Sequence, residues 1–177
     1  MITSKEYVET IRSFYKRMDT TQATSENDEL ENELNSYRES YNRELIKRYP
    51  WLQARDEHGN KLDTFEYTEL DCLDDGWRVA FGDELIEEVD GVYQTITDEQ
   101  KENFYPLQIK EKFGTLRWYN SIHTEELDEI LIKYECRSEK TCIHCGKPAK
   151  FISTGWICPW CEECVKDIHG KVVPIEE

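Results

Sequence analysis

The chain has 177 residues and a formal net charge of −16, with 38 acidic side chains against 22 basic ones. Its 5 Trp, 10 Tyr and 6 Phe set it apart from a disordered acidic tail, because that much aromatic surface can be buried in a core. No apolar run approaches the roughly 20 residues a bilayer crossing needs, and the opening MITSKEYVET lacks the apolar segment of an export signal. A soluble, cytoplasmic protein is expected.

The charge is concentrated. Residues 61–105 hold 14 acidic and 3 basic side chains, a net of −11. Such a field repels nucleic-acid backbones and attracts basic partners.

In chain order, residues 3–18 predict an amphipathic helix. Thr3 and Glu6 fit a capping box, and Val8, Ile11, Tyr15 and Met18 share one face. Polar residues 19–28 read as a connection. A second helix runs to about Arg48 with Leu30, Leu34, Tyr37, Tyr41 and Leu45 as its stripe, and Tyr49-Pro50 ends it. The two stripes suit an antiparallel helical hairpin. Glu57-His58-Gly59-Asn60 looks like a turn between two short strands. Asp74 and Asp75 offer caps for a third helix, Gly76 to about Asp90, with Trp77, Phe81, Leu85 and Val89 inward and Gly91 as its stop. Residues 97–104 read as a further helical turn.

Residues 107–119 carry the clearest strand signal. A two-residue turn at Phe113-Gly114 sets Ile109 opposite Trp118, Glu111 opposite Leu116, Lys110 opposite Arg117 and Lys112 beside Thr115. Thr124 then caps a fourth helix, acidic at its start and basic at its end, with Leu127, Ile130, Leu131 and Tyr134 on its buried side.

Five of the seven cysteines lie between residues 142 and 164. Cys142-Ile-His-Cys145-Gly146 forms one C-x2-C knuckle, and Cys158, Cys161 and Cys164 compete for the second. Four thiolates make a closed structural Zn²⁺ site, so one of the five is left over. Forty residues cannot assemble a stable core alone, and structural zinc can contribute about 10–16 kcal/mol to such a module. Trp156 and Trp160 are expected to pack around it. The near-neutral segment 138–177 has little aromatic and basic interleaving, so direct DNA or RNA binding is not expected.

The fold class these elements predict is α+β: N-terminal helices, a small antiparallel sheet with a β-hairpin, and a C-terminal zinc-ribbon-like module. The expected division is an acidic domain over residues 1–138, with the helical hairpin at about 3–48 and a mixed region over 50–138, followed by the zinc module over 139–177.

No nucleophile elbow, phosphate-binding loop or H-E-x-x-H motif is present, and no catalytic residue is assigned. An alternative enzyme reading takes the acids of 63–90 as a Mg²⁺ site for phosphodiester cleavage. Asp98 ahead of Gln108-Ile-Lys110 faintly suggests a metal-dependent nuclease, but a glutamine stands where that pattern needs an acid. A second alternative is a small zinc-dependent regulatory factor associated with nucleic acid.

The succession DGWRVAFGDELIEEV, QIKEKFGTLRWY, CIHCGKPA and ISTGWICPWCEEC resembles a family of small, functionally uncharacterised proteins of bacteriophages, prophages and their bacterial hosts. The resemblance spans about residues 45–168. In that family the position matching Cys158 is often another residue, which implies Cys142, Cys145, Cys161 and Cys164 as ligands and Cys158 as the extra thiol. It brings no activity with it. With the acidic stretch, it leads to the expectation of a phage- or mobile-element-encoded interaction protein acting on a host protein with a basic surface, in an anti-defence role. Asp83, Glu84, Glu87 and Glu88 are the candidate partner-binding residues, presenting a surface that mimics a nucleic-acid backbone.

Overall fold

The computed structural model of the chain describes residues 2–20 and 24–175. The protein is α+β and divides into two compact units, Met1–Thr68 and Glu69–Glu177. The division falls inside the expected 1–138 domain, and the cysteine segment belongs to the second unit.

In the first unit, α1 (Ser4–Thr20) and α2 (Thr24–Arg48) form the helical hairpin. The Thr3 backbone N–H donates to Glu6 Oε2 at 2.8 Å, and the Glu6 N–H donates to Thr3 Oγ1 at 3.2 Å, which completes the capping box. The inward face of α1 is rotated from the expected one. Tyr7, Val8 and Ile11 are buried, whereas Tyr15 is exposed. Tyr7 instead stacks on Tyr41 at 4.0 Å between ring centroids, and Phe14 meets Tyr37 at 6.3 Å, so the helices run antiparallel. Of the expected connection 19–28, residues 19–20 belong to α1 and residues 24–28 to α2; residues 21–23 lie outside the described residues. The predicted strands around Gly59 reduce to a single bridge, Arg55 with Lys61. The Asp56 carboxylate accepts from the His58 and Asn60 N–H groups and closes that turn locally.

The second unit is built on one long helical run with a fault in it. α3 (Asp75–Trp77) passes through a π turn over Arg78–Gly82 into α4 (Asp83–Thr95). Trp77, Phe81, Leu85 and Val89 are buried as expected. Gly91 does not stop the helix, which continues to Thr95; nothing crowds Gly91, and Val92 is buried one residue on. After α5 (Asp98–Glu102), β1 (Pro106–Lys112) and β2 (Thr115–Asn120) pair antiparallel in the predicted register, including Ile109 with Trp118 and Lys110 with Arg117. Phe113 and Gly114 both have positive φ, 55° and 81°, the requirement of a two-residue turn matched to strand twist. α6 (Glu125–Ser138) starts at Thr124, whose hydroxyl accepts from the Leu127 N–H. The buried Ser138 hydroxyl accepts from the Leu116 N–H at 2.8 Å and ties α6 to β2.

The C-terminal segment adds a three-stranded antiparallel sheet, in the order β4 (Pro159–Trp160), β3 (Phe151–Ser153), β5 (Val172–Pro174). Its attachment to the helical run is close. The Gly76 N–H donates to the Ile143 carbonyl at 2.8 Å, and Trp77 Nε1 donates to the Thr141 carbonyl at 3.1 Å. A Cβ on Gly76 would collide with the Cys142 carbonyl oxygen and lie 2.6 Å from the Ile143 carbonyl. This contact is why the cysteine module is part of the second unit.

Candidate metal centre

Four sulfurs converge in the second unit. The ligand atoms of Cys142, Cys145, Cys161 and Cys164 lie within 4.8 Å of one another, and Cys145 Sγ is 3.5 Å from Cys161 Sγ. Among the described residues no other group of three or more His, Cys, Asp or Glu side chains is placed to hold a metal ion. The acids of residues 63–90 form no such group, and Lys110 donates to Gln108 Oε1 at 2.6 Å rather than meeting a carboxylate there.

Each knuckle is shaped by its own backbone. In the first, the Gly146 N–H donates to the Cys142 carbonyl at 3.0 Å, with Gly146 in the left-handed region at φ 80°. The Cys142 N–H then donates to the Lys147 carbonyl at 2.8 Å. In the second, the Val165 N–H donates to the Cys161 carbonyl at 3.1 Å, and the Cys164 N–H points at Cys161 Sγ from 3.4 Å. Lys147 Nζ meets Glu163 Oε2 at 2.5 Å, joining one knuckle to the other.

The donor set fits a thiophilic cation. Burial opposes ionisation of Cys161, but backbone N–H groups of Cys164 and Glu163, with neighbouring thiols, outweigh it and bring the thiol down to about 7. Burial, then the adjacent thiols Cys145 and Cys161, push Cys164 up; burial likewise leads the upward shift of Cys145. A cluster that holds one thiolate and resists the next is one that a bound cation would stabilise.

Cys158 stands outside this group. It is buried just ahead of β4, where its N–H donates to Ser153 Oγ at 3.0 Å. Burial, with the charges of Glu111 and Asp74, pushes its thiol up to about 12, so it is held protonated. Its sulfur is not among the four that converge.

The acidic candidates on α4 have a different environment from the one expected. Glu84 pairs with Arg137 of α6. Glu88 accepts from Lys133 Nζ at 2.6 Å and from the Tyr134 hydroxyl at 2.9 Å, and the Lys133 bond is the main reason its carboxyl sits below the usual range. Two of the four predicted partner-binding acids therefore hold α4 to α6. Asp83 and Glu87 are exposed on the same helix.

Sequence reasoning missed a second feature. A cleft of about 470 Å³ is lined by Asp71, Asp74, Asp75, His144, Trp156 and Trp160, among others. Trp156 does not pack around the cysteines as expected; it is 78% exposed. Trp160 is half-buried, with Nε1 donating to Ser153 Oγ at 3.1 Å. Burial, then the charges of Glu111 and Asp75, push the Asp74 carboxyl up to about 6. The signal available in the sequence was the pair Asp74-Asp75, which reads as ordinary helix capping; Asp74 makes no side-chain capping bond.

No protein-family model matches this chain, and no curated protein or solved structure matches it either. No helix among the described residues is long and apolar enough to cross a membrane.

Proposed function

We propose that this chain is an interaction protein with a structural zinc centre, which binds a basic surface on another protein. The observation that carries the reading is the four-thiol cluster, in which all donors come from the chain. Zinc favours four-coordinate thiolate sites, with sulfur pairs about 3.8 Å apart when Zn–S is about 2.3 Å. Cys142, Cys145, Cys161 and Cys164 would hold it, and four protein thiolates leave no coordination position for a substrate. The acidity of residues 61–105 supports a cationic partner. The resemblance to phage and prophage proteins suggests that this partner belongs to a bacterial host and that binding is inhibitory.

Metal analysis of purified protein tests the first half: one zinc per chain is expected, and metal-free folded protein would overturn it. For the second half, the zinc-loaded protein is immobilised and challenged with host lysate at low and high salt. A stoichiometric host protein that is released by salt and rebinds in purified form is the expected outcome. Retention of nucleic acid in place of protein would overturn it.

A further inference from the structure

The cleft beside the metal knuckles has a composition that an electrostatic surface alone does not need. Its lining brings Asp71, Asp74 and Asp75 together with the indoles of Trp156 and Trp160. The carboxylates differ in their commitments. Asp71 is paired with the buried Arg78, 3.1 Å from Nη1. The charged groups that act on Asp74 are both carboxylates, Glu111 and Asp75. Glu111 is held in place by accepting from the Gly114 N–H at 2.6 Å. The cleft is thus a concave concentration of negative charge with a large aromatic face left in water. Exposing a tryptophan to this degree forgoes the burial its surface would otherwise contribute.

We propose that this cleft receives an arginine side chain of the partner protein, with its guanidinium between the Trp156 indole and the Asp74 and Asp75 carboxylates. A guanidinium is planar, stacks on an indole face and matches a carboxylate bidentately; an ammonium does only part of this. The negative field excludes a phosphate-bearing ligand, and the volume suits one long side chain with its flanking backbone. The inference rests on the interaction reading above and gives it a location. It also gives the metal centre a role in binding. Ile143 and His144, between ligands Cys142 and Cys145, line the cleft, as do Cys158 and Trp160 just ahead of ligand Cys161. Closure of the two knuckles would therefore help fix the positions of these lining residues.

The test is a titration of the zinc-loaded full chain with hexa-arginine peptide in about 10 mM salt, where screening is weak, following the tryptophan indole N–H resonances. Shifts centred on Trp156 and Trp160 are expected. Trp156→Ala and Asp74→Asn should each weaken binding at least about fivefold, the factor that one desolvated cation–π or charged contact supplies. The charge-matched control Glu31→Gln, on α2, should change little. Trp156 is exposed, so its removal leaves the core intact, and Asp74→Asn is expected to stabilise the fold, so lost binding cannot be lost folding. Hexalysine should bind several-fold more weakly. Equal affinity for the two peptides would overturn the proposal by reducing it to charge attraction. Binding that survives both cleft variants but fails in Asp83→Asn or Glu87→Gln would also overturn it, while leaving the broader interaction reading in place. No binding of either peptide would overturn the cleft proposal, while the lysate experiment still decides the interaction reading.

Discussion

The units Met1–Thr68 and Glu69–Glu177 bury their apolar surface by different means. In the first, the partners are two helices consecutive in sequence, joined by stripes of Tyr7, Val8 and Ile11 against Leu30, Leu34 and Tyr41. In the second, the decisive ties connect distant segments: Gly76 with Ile143, Trp77 with Thr141, Leu116 with Ser138. Long-range ties of this kind carry a loop-closure cost before they return any contact energy. Two C-x2-C knuckles placed to hold one ion would be a compact way to offset that cost. Metal dependence should therefore belong to one unit and not to the other.

The strongest way to break that contrast is to remove the metal site. Chelation, or Cys161→Ser, is expected to unfold the C-terminal sheet and expose Trp77, consistent with the about 10–16 kcal/mol that structural zinc contributes in small modules. Hydrogen exchange should show lost protection in β3–β5 while the α1 and α2 amides keep theirs. Equal loss in both units would end the distinction. Gly76→Ala attacks the same unit without touching a ligand. Its methyl group meets backbone carbonyls rather than a movable side chain, so a destabilisation of about 3 kcal/mol or more is expected in urea unfolding. Leu34→Ala is the mirror experiment. Leu34 is buried in the first unit, and its truncation should cost about 2–4 kcal/mol while zinc content stays the same.

Asp74→Asn sharpens the comparison most finely. The wild-type carboxyl titrates at about 6 in the folded protein, raised mainly by burial, against the ordinary aspartate value of 3.8 when unfolded. The folded state therefore holds its proton more tightly, and wild-type stability falls as pH rises from about 4 to about 6. The asparagine variant lacks that loss. After allowing for the partial exposure of the group, its advantage should be about 1 kcal/mol above pH 6 and should vanish below pH 4. Parallel urea midpoints of the two proteins across that range check it; a constant difference would mean that Asp74 does not titrate as described.

How much of this was legible in the sequence varied with the kind of signal. The β1–β2 register was, because Phe113-Gly114 suits a two-residue turn and side chains alternate from it as far as Gln108, where the register shifts. The caps at Thr3 and Thr124 and the stripe Trp77-Phe81-Leu85-Val89 were also legible, since each is a local pattern. The rotation of α1 that buries Tyr7 and exposes Tyr15 was not, because helical spacing alone allows either face and the stacking on Tyr41 chooses. Nor was the continuation past Gly91, where burial of Val92 overrides a weak stop signal.

The sequence by itself determined that two cysteine knuckles exist, that acidic residues cluster between 61 and 105, and that helices and one hairpin make up the rest. It did so because motif spacing, charge and periodicity are properties of neighbouring residues. Tertiary structure alone decided that Glu84 and Glu88 are engaged by α6, and that Asp74 shares a cleft with Trp156. Those outcomes depend on how distant segments meet, and only packing and the close approach at Gly76 bring them together.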